Sequence, residues 1–277
     1  MSSAELPTDV QHWWTATRYQ LRFYLRTWRF LGLLLFFLIV GGAATGVEIY
    51  LNANGGSAAA FLASGLGNLG IFGIIIAAFI GGDAIAMDFG SGTGYYMLVL
   101  PVRRPAILLG RFAAAFATGL CLVGVYYVIS IFGAVYFWGF AGLPWLALGE
   151  SFLLAVLYGA AVLSTAFFFS SLFRSPAVSI VLTILILFLG FLIVDGVVGA
   201  DLGYEPWFSV LYAGGVIGLV LVGQPHYLAS TSHVGGRVIT THVWNPYIWE
   251  GTVIMLAYFV VFLLLSGVIY QFKESKG

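Results

Sequence analysis

WFSVLYAGGVIGLVLVG, residues 207–223, is an apolar run broken by a Gly-Gly pair, and whether it crosses a membrane decides between six spans and seven. Six other runs, at 30–51, 61–81, 106–137, 152–172, 178–198 and 252–270, come close to or exceed the length of about 20 apolar residues that a helix needs to cross the hydrocarbon core. The third is long for one straight crossing, which predicts a tilted helix or one extending beyond the bilayer. Basic residues arbitrate, because Lys and Arg are retained on the cytoplasmic side. Arg18, Arg22, Arg26 and Arg29 precede the first run; Arg103, Arg104 and Arg111 follow the second, Arg174 the fourth, Lys273 and Lys276 the sixth. Only Arg237 falls on the other side. A seventh crossing would push the two C-terminal lysines outside, so 207–223 is expected to be re-entrant or to lie in the outer interface. Gly214, Gly215 and Gly218 let a broken helix turn back where protein or water covers its freed backbone groups.

The composition agrees. Apolar residues make up 61% of the chain and charged ones 8%, against about 45–50% and about 25% in soluble domains. The expected fold is an all-α polytopic membrane protein with six transmembrane helices, both termini cytoplasmic, in the plasma membrane. A lone cysteine, Cys121, excludes an intrachain disulfide and reads as packing. No cleavable signal is visible, because the first apolar run lies behind an Arg- and Trp-rich stretch. At about 100° per residue, Arg18, Arg22, Arg26 and Arg29 fall within an arc of about 80°, and Trp13, Trp14, Leu21, Tyr24, Leu25 and Trp28 occupy an adjoining face. That pattern predicts an in-plane interfacial helix, serving as a topological anchor or as a lever. The chain then divides into 1–29, a cytoplasmic tail with this helix, and 30–277, one six-span domain with an inner loop at 82–105 and an outer loop at 199–251.

Within the inner loop, DFGSGTGYYMLVLPVRRP (88–105) crowds glycine, proline and arginine together. Its glycines do not complete a G-x-G-x-x-G dinucleotide fingerprint, and no strand precedes them. The 95–100 run is more apolar than a connector in water needs, and exposed apolar patches mark contact sites. The longer stretch MDFGSGTGYYMLVLPVRRPAILLGRFAA resembles the cytoplasmic segment of ATP-binding-cassette (ABC) type-2 permeases. Asp88 matches the family's acidic residue, Gly92-Thr93 its Gly-Thr, Leu100-Pro101-Val102 with Arg104 its Pro-containing stop, and Gly110-Arg111 its Gly-Lys. Aspartate stands here for the usual glutamate, Arg103 for the usual serine, and Phe89 and Gly90 occupy positions where charge is common.

The resemblance implies a coupling helix after the second span that docks on a separate nucleotide-binding ATPase subunit, with a re-entrant element between spans five and six. Asp88, Gly92, Thr93, Tyr95, Tyr96, Met97 and Leu98 would supply the docking surface. Pro101 would end the helix for want of a backbone donor, and Arg103 and Arg104 would anchor it at anionic headgroups. ATP and Mg²⁺ would be bound by the partner; no G-x-x-x-x-G-K-[ST] and no Gly-Lys dipeptide occurs in this chain. The other implied partners are a second permease copy, identical or sister, and the lipid bilayer, with no nucleic acid.

Few residues within the spans carry chemistry. Asn68, Glu48 and Asp195 are the candidates for a translocation path; Asn68 reads equally as packing glue. Gly65, Gly67, Gly70 and Gly73 favour close helix contact, which also suits a dimer seam. Ser164, Thr165, Ser170 and Ser171 are expected to bond their own helix. Glu48, Glu150, Asp195 and Glu250 cluster near outer span ends, as an exit vestibule or as ordinary interfacial acids. His226, His233 and His242 are the candidate metal ligands, but spacings of seven and nine residues match no compact motif. The leading function is the permease subunit of an ATP-driven exporter. The alternative is a secondary transporter or channel not driven by ATP, a class that favours charges at mid-membrane. No motif of an intramembrane enzyme is present.

Overall fold

The computed structural model describes residues 9–52, 56–87, 104–234 and 237–273. Among them, six helices are long and apolar enough to cross a membrane, and each contains or overlaps one of the six runs. They are α2 (Trp28–Asn52), the pair α3 (Ala58–Gly67) and α4 (Leu69–Gly81) that together form span two, α5 (Arg104–Trp138), α6 (Trp145–Leu172), α7 (Pro176–Asp201) and α10 (Ile248–Lys273). Ahead of them, α1 (Asp9–Arg26) packs along the start of α5. The two helices come close at Gly110, where a Cβ would lie 2.9 Å from the Ala16 Cβ and 3.0 Å from the Trp13 carbonyl oxygen. The two predicted faces of α1 are not cleanly divided. Tyr24 is buried, whereas Trp14 and Phe23 are exposed beside Arg18, Arg22 and Arg26.

Aromatic rings lock the spans together. Phe37 of α2, Phe72 of α4 and Tyr126 of α5 form an edge-to-face trio, with Phe37–Phe72 at 5.5 Å and Phe72–Tyr126 at 5.3 Å. Phe112 joins α5 to α6 through Phe167 at 5.3 Å and to α10 through Phe259 at 5.9 Å. Such pairs add about 0.5–1.5 kcal/mol each beyond the area they bury.

The ambiguous 207–223 run folds as two short helices, α8 (Val210–Gly214) and α9 (Val216–Val222). They are wedged against α3, α6 and the start of α10, with Val210, Ala213, Val216 and Ile217 fully buried. Neither is long enough to cross. At the crossing of α9 and α3, a Cβ on Gly218 would stand 2.7 Å from the Ala63 carbonyl oxygen, so only glycine permits this approach.

One element was not expected. Residues of the outer loop form an antiparallel hairpin, β1 (Tyr227–Val234) and β2 (Arg237–Trp244), in register from Tyr227 opposite Trp244 to Val234 opposite Arg237. The fold is therefore a helical bundle with a loop end, where spans two and three are joined, and a hairpin end.

Candidate functional site

At the loop end, the chain leaves span two through residues 82–87, and three other elements hold that turn. Arg29, at the start of α2, forms an ion pair with Asp83, which is 3% exposed. Arg111 of α5 is buried and donates to the Ala84 carbonyl at 3.1 Å. Ser170 of α6 accepts from the amides of Ile85 and Ala86 at 2.9 and 3.0 Å. Ser164, Thr165 and Ser171 bond carbonyls of their own helix as expected, at Ala161, Ala161 and Phe168. Ser170 departs from that expectation because turn 82–87 presents two amides to it. Spans one, three and four thus each grip the base of the loop. Asp88, Gly92, Thr93, Tyr95, Tyr96, Met97, Leu98, Pro101 and Arg103 lie outside the described residues, and Arg104 is described only as the first residue of α5.

Midway along the bundle, span two breaks at Asn68. Its side-chain amide donates to the Ser64 and Gly65 carbonyls at 3.0 and 3.4 Å. Two carbonyls flanking the break receive tyrosine hydroxyls from neighbouring spans: Tyr126 donates to Gly65 at 2.8 Å and Tyr158 to Gly70 at 2.6 Å. Irregular backbone at membrane depth persists where side chains satisfy its polar groups. The Tyr158 ring lies between Gly73 and Gly214, 2.7 and 2.8 Å from where their Cβ atoms would be. Much of the glycine row read as a possible dimer seam is thus filled from within the chain, since Tyr158 and the broken helix occupy the space that missing side chains leave.

The hairpin end is open. A cavity of about 570 Å³ lies between α3, the end of α7, the broken helix and β2, with Gly67, Asp195, Tyr212, Gly218 and Trp244 among its walls. The end of α7 is wound as a π-helix over Asp195–Asp201, the wide form often found at functional positions. Ser209 caps α8 by accepting from the Tyr212 amide at 3.2 Å and donates to Asp195 Oδ2 at 3.0 Å, while Asp195 Oδ1 is buried without a partner. Of the four acids expected near this end, Asp195 lines the cavity and Glu250 opens α10. Glu48 lies beside Gly65, its carboxylate 3.4 Å from where a Cβ would stand, and Glu150 is exposed on α6.

The three histidines part company. His226 stands near Glu205 and Glu250; His242 pairs through Nδ1 with the Tyr227 hydroxyl at 2.6 Å; the His233 side chain lies outside the described residues. No motif surrounds Glu205 in the sequence, so nothing there marks it. Asp83 carried a legible signal, an acid directly after an apolar run at the end where Arg29 sits. Burial, then the Glu205 carboxylate that accepts its hydrogen bond at 2.6 Å, holds the Tyr212 phenol above its ordinary range.

A family model described as ABC-2 family transporter protein matches residues 43–268, well over half of the chain and reaching from the first span into the last. No curated protein matches it.

Proposed function

The chain belongs to the ABC-2 transporter family, a membrane component and not the ATPase, and from that premise we propose that it is the permease subunit of an ATP-driven exporter. In this reading residues 88–103 dock on a separate nucleotide-binding subunit that holds ATP and Mg²⁺, the loop end faces the cytoplasm, and a second permease copy completes the path. Cargo leaves through the cavity beside Asp195. The observation that carries the reading is the grip on the base of the loop: Arg29, Arg111 and Ser170 connect turn 82–87 to spans one, three and four. A push on the loop cannot be absorbed locally, because the turn is tied to three rigid helices.

The test is co-purification from cells expressing the chain at native level. A soluble ATPase of the Walker type is expected to accompany the parent protein and to be lost when Tyr95, Met97, Leu98 and Leu100 are replaced by Ser. Retention of the ATPase by that variant, or uphill solute movement in vesicles holding this chain alone, overturns the proposal.

A further inference from the structure

Behind the cavity wall, three residues from separate parts of the chain converge. Glu205 comes from the segment after span five, His226 from the residue before β1, and Glu250 from the first turn of α10. One ligand atom from each lies within 4.8 Å of the others, and His226 Nε2 is 3.7 Å from Glu205 Oε2. Ligands about 2.1 Å from a tetrahedral ion stand about 3.4 Å apart, so a small closure of these side chains brings all three to bonding distance.

What separates this cluster from a chance group of acids is the way its outward-turned atoms are engaged. His226 Nδ1 lies 2.6 Å from the Asn245 carbonyl oxygen, which can only accept. Nδ1 is therefore the donor to that carbonyl, and Nε2 is the nitrogen turned toward Glu205. That arrangement, a carbonyl on one nitrogen and a metal on the other, is the usual support of a metal-bound imidazole. The backbone holds the carbonyl in place: the Asn245 amide donates to the His226 carbonyl at 2.7 Å, and its side chain donates to Pro225 at 2.7 Å. Tyr247 stacks on the imidazole at 4.2 Å and 11°, fixing the ring plane. Tyr212 donates to Glu205 Oε1 at 2.6 Å, leaving Oε2 as the atom turned to His226.

We propose that Glu205, His226 and Glu250 bind a divalent transition metal of the zinc class, which staples the segment after span five, the hairpin and span six together behind the cavity. One imidazole nitrogen and two carboxylate oxygens suit zinc-class ions, whereas Ca²⁺ and Mg²⁺ take all-oxygen shells. Three protein ligands leave the fourth position to water. Tyr212, Trp244 and Asn245, which line the cavity, are bonded to or packed edge-on against the proposed ligands, so the metal sets the shape of that wall.

The test uses the full chain in detergent, purified on a histidine-free tag and washed with chelator, titrated with Zn²⁺ by calorimetry and assayed for bound metal. The parent is expected to take up one Zn²⁺ per chain (~1:1) and to gain thermal stability with it. Glu205→Gln and Glu250→Gln, which keep size and most hydrogen bonds, are each expected to weaken Zn²⁺ binding by about 10-fold or more, whereas His233→Ala with His242→Ala leaves it unchanged. His226→Ala abolishes uptake if it folds; the two Gln variants decide the matter if it does not. Absence of saturable Zn²⁺ uptake, equal affinity in the Gln variants, loss of binding on removing His233 and His242, or a preference for Ca²⁺ or Mg²⁺ overturns the proposal.

Discussion

The two ends of the bundle solve opposite problems with similar polar residues. At the loop end a carboxylate is 3% exposed and matched by a guanidinium, and the amides and a carbonyl of the turn have buried partners from other helices. At the hairpin end Asp195 keeps one oxygen without a partner, its helix is wound wide, and a cavity of about 570 Å³ opens beside it. A satisfied network in a low-dielectric setting is rigid, and an incompletely satisfied one beside a cavity is free to rearrange. Under the proposed coupling, the difference implies that the chain would receive force where its polar groups are saturated and change shape where they are not.

The largest expected effect is at the rigid end. Arg29→Ala strips the cation from a buried carboxylate and should lower the unfolding free energy by about 3 kcal/mol, the low end for a broken buried pair because Arg29 is half exposed. Chemical unfolding in mixed micelles checks this, and Asp83→Asn in the same background should recover most of the loss. An unchanged midpoint in Arg29→Ala would erase the contrast between the ends. A smaller effect is expected at the open end. Gly218→Ala places a methyl against the Ala63 carbonyl, 2.7 Å away, and should cost about 2 kcal/mol by overpacking. The same micelle titration reads it; a variant as stable as the parent would mean that α9 can slide on α3.

The spans were legible because a membrane helix needs little beyond apolar length, and positive-residue counting identified 207–223 as the run that does not cross. Its glycines foretold the break, which falls at Gly215 between α8 and α9, while Gly218 lets α9 pack closely on α3. Asn68 was harder. An amide amid glycines in an apolar run gives no sign that span two divides there, since the break is held by Tyr126 and Tyr158 from helices distant in sequence. The sequence signals the hairpin on one side only: RVITTHVW after Gly235-Gly236 is rich in Val, Ile and Thr, whereas YLASTSHV before it is not. Histidine spacing along that loop hides the cluster, because His226 finds its partners at Glu205 and Glu250 rather than at the other histidines. The grip on turn 82–87 was legible only in part. The opposite charges of Arg29 and Asp83 lie at one membrane end in the sequence, but the role of Ser170 depends on how α6 docks.

The most direct test of force passing through that grip needs no knowledge of the cargo. In a Cys121→Ser background, spin labels at Tyr50 and Trp249, both exposed at the hairpin end, report its geometry in the assembled transporter. Adding ATP is predicted to change the label distances in the parent, to leave them fixed in Arg29→Ala while the partner subunit stays bound and hydrolyses ATP, and to change them again when Arg29→Asp is combined with Asp83→Arg. An ATP-dependent change of parental size in Arg29→Ala would contradict the account.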